Sequence, residues 1–254
     1  MVVTLGVTFA GHASSFQPLS MRLHRQHSSL RSSSSSLDHD FSSPYFWDEF
    51  YEKQLTLQRE NNKNEVVNEG DFVFEWHDSI PLEDLAALIP DNSSCLMVGC
   101  GNSLLPQVVL DRNDNIPITL LDTSRACLEQ LEGRYGTKDV SFVCGSATEM
   151  ASYFVDDSTT FDCIVDKGLT DAFMCGEGWE TPVESLLRES SKLFHPQRGG
   201  MYLLVSYKLG PAIQELIQEM CDAASEDLVW EWEFDSQPLS NHRVSVSLAR
   251  VRPA

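Results

Sequence analysis

The sequence predicts an α/β protein with a doubly wound, mostly parallel seven-stranded sheet whose last two strands form an antiparallel pair at one edge. Three observations carry this. Apolar strand-like runs alternate with helix-period segments from position 95 to position 224, which is how parallel strands joined by crossover helices read. The first run, Cys95–Val98, ends in Gly99-Cys100-Gly101 and leads into a helical pattern, so a tight glycine turn joins strand to helix. Finally, Gly99, Asp122, Ser146 and Asp166 fall at the carboxyl ends of four successive strands, the edge where this architecture binds ligands.

The N-terminal 43 residues differ from the rest. Nothing acidic precedes Asp38, while Arg22, Arg25 and Arg31 are basic and Ser32–Ser36 is a serine run. This is the composition of a cleaved organelle-targeting segment. We therefore expect an appendage over 1–43 and a single domain over 44–254. The arginine spacing favours the mitochondrion and the serine richness keeps the plastid open. An ordinary disordered tail on a cytoplasmic protein is the plainer alternative.

Pro44–Glu60 carries Phe46, Trp47, Phe50 and Tyr51 at helical spacing, which predicts a helix with one aromatic face. Such a stripe is more often core than ligand contact. Residues 61–70 are polar and read as a loop. Ile80–Ile89 reads as a helix with Pro81 in its first turn and Glu83 and Asp84 at its positive end. Pro90-Asp91-Asn92 turns the chain into the first strand. After the glycine turn, Leu104–Leu110 is helical. The glycines let backbone approach a ligand, and the helix start offers free N–H groups.

Ile118–Leu121 is a buried strand ending in Asp122, an acid suited either to a ribose hydroxyl pair or to capping the helix that follows. Thr123–Tyr135 is helical, and Val140–Cys144 is the third strand, leading to Gly145-Ser146-Ala147. Phe161–Val165 is the fourth strand and delivers Asp166-Lys167-Gly168 to the ligand edge. A helix over 181–195, the strand Met201–Tyr207 and a helix over Pro211–Ala224 follow. Val229–Phe234 and Val244–Val251 alternate with strand period. They form either a docking surface or, on the better reading, a hairpin that completes the core.

Composition narrows the function. A formal charge of −20 disfavours nucleic acid and anionic membranes as partners and suits a basic protein segment. No apolar run approaches membrane-spanning length. The seven cysteines contain no Cys-x-x-Cys pair, which argues for reduced thiols and against a metal site. Leu104 stands where a dinucleotide fingerprint has its third glycine. That weighs against a nicotinamide or flavin enzyme and leaves another adenosine-containing ligand open.

Val98-Gly99-Cys100-Gly101-Asn102-Ser103, Asp122 and Val165-Asp166-Lys167-Gly168-Leu169-Thr170-Asp171-Ala172 resemble the class I S-adenosyl-L-methionine (SAM) methyltransferases. The nearest branch contains lysine methyltransferases of translation elongation factor and of citrate synthase. The resemblance implies a Rossmann-like methyltransferase fold, SAM as cofactor, and methyl transfer to a lysine in a protein substrate. A small-molecule methyltransferase, or a non-catalytic SAM-fold binding protein, is the alternative. It also implies cofactor contacts. Gly99 and Gly101 would pass close to the methionyl part, and Asp122 would bind the ribose with Thr123 beside it. Ser146, where most relatives carry an Asp, and Ala147 would lie at the adenine. Trp47, Tyr51 and Trp76 would cover the cofactor, and Lys167 would contact its region. An aromatic face also attracts a sulfonium. His77 stands where relatives carry a third covering aromatic, and Asp166 could orient an acceptor amine. No catalytic base is assigned.

Overall fold

Seven strands form one sheet in the order β3-β2-β1-β4-β5-β7-β6. They are β1 (Cys95–Val98), β2 (Ile118–Asp122), β3 (Val140–Cys144), β4 (Cys163–Lys167), β5 (Gly200–Tyr207), β6 (Leu228–Glu233) and β7 (Val244–Pro253). The computed structural model describes residues 40–61, 73–136, 138–154, 159–235 and 238–254. The expected targeting segment, up to residue 39, lies outside them. β1 to β5 pair in parallel, and β7 runs antiparallel to both β5 and β6. This is the expected doubly wound architecture with its antiparallel edge.

The helices are α1 (Pro44–Asn61), α2 (Leu82–Leu88), α3 (Leu105–Arg112), α4 (Arg125–Tyr135), α5 (Leu169–Met174), α6 (Glu180–Leu193) and α7 (Pro211–Ala224). A 3-10 helix spans Ala147–Tyr153. Alternating strand residues divide them between two faces. Cys95 and Met97 of β1 pack in one cluster with residues of α1 to α4. Leu96 and Val98 pack in the other, with Met150, Leu186 and Ile217 from the 3-10 helix, α6 and α7. All four β1 residues are buried, which explains why the central strand reads as an unbroken apolar run.

Several boundaries differ from expectation for local reasons. Pro81 is extended (φ −60°, ψ 133°) and precedes α2, so the helix starts at Leu82 and not at Ile80. α6 stops at Leu193 because Phe194 turns extended and bridges to Phe161. α5 and the 3-10 helix are too short to show a helical period.

The C-terminal hairpin is core. Trp230 is 2% exposed, its ring lies 5.6 Å from Phe194 and 5.5 Å from Tyr202, and its indole N–H donates to Ser191 Oγ (3.2 Å). Trp230→Ala should therefore cost about 3–5 kcal/mol of unfolding free energy, measurable by urea denaturation. A loss below ~1 kcal/mol would mean the hairpin packs loosely.

Candidate functional site

The site starts at the glycine turn. Gly99 and Gly101 are left-handed (φ +55° and +52°), and a Cβ on Gly101 would sit 2.7 Å from the Tyr51 hydroxyl oxygen. The turn thus needs glycine both for its backbone and for the ring laid against it. The Gly101 N–H donates to Asp122 Oδ2 (2.9 Å) and the Ser124 N–H to Asp122 Oδ1 (2.9 Å). Asp122 is buried, and desolvation pushes its carboxyl above the usual range against the pull of these two bonds. Ser124 caps α4 through its own hydroxyl, which accepts from Cys127 N–H. Asp122 therefore fixes the turn as well as facing the pocket, and an ionised carboxylate retains lone pairs for a further donor.

A strap over residues 74–77 closes the other side. The Phe74 N–H donates to Asn102 Oδ1 (2.9 Å). Glu75 receives the Leu104 N–H (2.6 Å) and the Ser103 hydroxyl (2.9 Å), so its carboxylate sits at the start of α3. Lys167 Nζ donates to Glu75 Oε2 (2.9 Å) and to the Trp76 carbonyl (2.6 Å). At this helix start the Leu104 N–H is thus taken by the chain's own carboxylate and the Leu105 N–H by the Ser103 hydroxyl (3.1 Å), while Pro106 has no N–H to offer. His77, also left-handed (φ 65°), is buried and pairs through Nε2 with Asp171 Oδ2 (2.6 Å). Asp171 in turn accepts the Tyr207 N–H. His77 is a fastener of the strap and not part of the pocket wall.

These parts surround one pocket with about 820 Å³ of atom-free space, its mouth included. Every expected contact residue lines it: Trp47, Tyr51, Trp76, Gly99, Gly101, Asp122, Thr123, Ser146, Ala147 and Lys167. Phe41, Ser42, Phe74, Leu169 and Phe173 also line it and were not anticipated. Phe41 precedes α1, in a stretch whose composition reads as a tail. Its position is set by its carbonyl, which accepts from the Trp47 indole (2.8 Å). Tyr51 is buried, which pushes its phenol well above the ordinary value.

One expectation needs correction. Asp166 does not line the pocket. Its buried carboxylate accepts from Leu169 N–H (2.9 Å), Thr170 Oγ1 (2.6 Å) and the Tyr202 hydroxyl (3.2 Å), and so caps α5 from within. Burial pushes it up to about 6. It is therefore not placed to orient an acceptor amine. Ser146 lines the pocket, and its hydroxyl also caps the 3-10 helix, bonded to Thr148 Oγ1 (2.8 Å) and accepting the Thr148 N–H (3.2 Å). Among the described residues no group of three or more His, Cys, Asp or Glu could hold a metal ion, and no helix is long and apolar enough to cross a membrane.

No protein-family profile and no curated protein matches the chain. Solved structures do. The chain is similar to the 1,6-didemethyltoxoflavin-N1-methyltransferase of Burkholderia thailandensis, solved with 1,6-didemethyltoxoflavin and S-adenosylhomocysteine. Identity is 14% and the TM-score 0.50, over 87% of this chain and 93% of that one. The fold is that of the SAM-dependent methyltransferases. A TehB-like SAM-dependent methyltransferase from Corynebacterium glutamicum is also similar, at 15% identity and TM-score 0.49, over 82% of this chain and 99% of that one. At these identities the likeness is one of fold.

One ion pair ties the middle of the strap to the tip of β4. Lys167 and Glu75 side chains are only 8% and 18% exposed. Glu75→Ala strands the Lys167 ammonium and uncaps α3. It should lower unfolding free energy by about 3–5 kcal/mol, read by chemical denaturation. A change under ~1 kcal/mol would show that the pair does not hold the strap.

Proposed function

We propose that the chain is a SAM-dependent methyltransferase. One observation carries this. The pocket joins a carboxylate at the β2 tip to a glycine turn and an aromatic wall, yet offers no seat for a phosphate. The start of α3, where a dinucleotide would dock its pyrophosphate, is filled by Glu75. Lys167 is neutralised by the same carboxylate. A ligand with a ribose and a sulfonium but no phosphate suits this wall, and a nicotinamide dinucleotide does not.

The chemistry follows. Methyl transfer from a sulfonium is an in-line displacement in which the cofactor carries the reactivity. The protein must align the nucleophile and keep water out. On this reading Asp122 binds the ribose hydroxyls, with Thr123 beside it. Gly99 and Gly101 admit the methionyl part. Ser146 and Ala147 lie at the adenine. Trp47, Tyr51 and Trp76 cover the sulfonium side.

The acceptor we favour is a protein lysine on a basic segment. The motif resemblance supports it, and so does the charge of −20, which steers basic segments by long-range attraction. A small-molecule acceptor is the second reading, favoured by the similar Burkholderia enzyme with 1,6-didemethyltoxoflavin bound. We further propose that the N-terminal segment directs the protein to the mitochondrion. A fluorescent reporter carrying residues 1–43 should show mitochondrial staining, and a diffuse signal would refute that address.

Titration calorimetry of the full chain with SAM, S-adenosylhomocysteine and NAD tests the cofactor. Both adenosyl compounds should bind and NAD should not; failure of both to bind ends the reading. Asp122→Ala should weaken SAM by roughly tenfold to a hundredfold. The Asp122 carboxyl is raised by burial, so its charged form is lost as pH falls through a value above the ordinary carboxylate range. SAM affinity should begin to fall in that window in the wild type and stay flat in Asp122→Asn. Radiolabelled SAM with mitochondrial extract should label a protein at lysine. Label confined to small molecules would move the acceptor to the second reading.

A further inference from the structure

The helix that carries Trp47 and Tyr51 is tied to the body of the protein by polar bonds. On α1, Asp48, Tyr51 and Gln54 follow at three-residue steps and so share a face. Asp48 Oδ1 accepts from the Ser124 hydroxyl (2.9 Å), the Tyr51 carbonyl from the Gln130 side-chain amide (3.3 Å), and Gln54 Oε1 from the Asn102 side-chain amide (2.9 Å). Asp48 does not line the pocket, but its chain neighbour Trp47 and its face-mate Tyr51 both do.

Ser124 joins two carboxylates. Its N–H donates to Asp122 Oδ1 (2.9 Å), and its hydroxyl donates to Asp48 while accepting the Cys127 N–H (3.3 Å). It is fully buried and is the N-cap of α4, whose first turn carries no acid of its own. Asp122 and Asp48 therefore both lie at the positive end of α4, which offsets the repulsion between two like charges. One serine links the acid at the β2 tip to the helix that bears two of the covering rings.

We infer that Asp48 is a positioning residue for the cofactor: through the Ser124 hydroxyl it fixes α1 over the pocket, and it sets a second negative charge beside the acid that takes the ribose. The inference rests on the methyltransferase reading and adds to it a residue outside the pocket wall. The bond holds Trp47 and Tyr51 in place. The charge makes the Asp122 carboxylate a stronger acceptor and also easier to protonate: burial is the main cause of its raised value, and Asp48 adds to it. The other titratable groups that act on Asp122 are Tyr51 from α1, Cys100 from the glycine turn and Cys127 from α4. Burial pushes all three up, so they stay neutral in acid, which leaves the Asp48 charge to act on Asp122. Removing that charge lowers the Asp122 value, so binding that needs the Asp122 carboxylate should persist to lower pH.

The test is calorimetry of the full chain with S-adenosylhomocysteine from neutral to acid pH, with amide hydrogen exchange of the ligand-free chain beside it. Asp48→Asn keeps an oxygen for the Ser124 hydroxyl and loses the charge. Its affinity at neutral pH should stay within about threefold of wild type, and its acid-side loss should begin at lower pH. Glu215→Gln, which removes an exposed charge from α7 on the opposite face, should leave that loss where it is. Asp48→Ala removes the bond as well, so affinity should fall about tenfold and exchange around Trp47 and Tyr51 should quicken, as it should not in Asp48→Asn. An acid-side loss unmoved in Asp48→Asn overturns the inference, as does wild-type affinity with unchanged exchange in Asp48→Ala. If Asp48→Ala unfolds, the pH profile of the near-isosteric Asp48→Asn still decides. If the wild type binds neither SAM nor S-adenosylhomocysteine, the cofactor reading fails and takes the positioning role with it, while exchange in α1 still judges the anchor.

Discussion

The Glu75 carboxylate is the constraint on which the site depends. It accepts from the N–H of Leu104, the N-cap residue of α3, from the Ser103 hydroxyl and from the Lys167 ammonium. Those three partners come from the glycine loop after β1 and from the tip of β4, two neighbouring strands of the sheet. One carboxylate thereby ties together two loops that chain connectivity keeps apart. The strap that carries it also carries Trp76, so the covering ring is set by electrostatics and not only by packing. A largely buried charge is costly unless paired, and this pair is completed by a capped helix start, where a negative charge is favourable.

The same arrangement sets the electrostatics of the pocket. With the α3 start and Lys167 both satisfied internally, neither can hold a ligand phosphate. Asp122 remains as the acidic group of the wall, shared between fixing the Gly101 amide and facing the cavity. Opposite it the wall is aromatic. A neutral sugar edge and a soft cation fit between them, which is why the geometry favours an adenosyl sulfonium over a dinucleotide. His77 and Asp171 fasten the far end of the strap against β5 through the Tyr207 amide, holding the covering residues in place before any ligand arrives.

Much of this was legible in the chain because it is periodic or local. The buried strands read as apolar runs, and the glycine turn announced itself by two glycines around Cys100, both of which prove left-handed. Residues at the strand ends had to meet once the sheet was parallel. What was not legible is long-range pairing. Glu75 and Leu104 are 29 positions apart, and His77 and Asp171 are 94 apart; no period or spacing records such partners. Asp166 illustrates the limit from the other side. Its place at a strand end suggested the pocket, but the short helix α5 behind Gly168 takes its oxygens for backbone capping. Phe41 was hidden by its neighbours, since its segment has the composition of a tail and only the fold shows it against Trp47.

The most direct test of the account is a crystal structure of the full chain grown with S-adenosylhomocysteine. The account predicts the ligand in this pocket, with its ribose hydroxyls within hydrogen-bond distance of the Asp122 carboxylate, its sulfur facing Trp47 and Trp76, and Glu75 still bonded to the start of α3. A ligand bound elsewhere, or one whose carboxylate displaces Glu75 from that helix start, would contradict it.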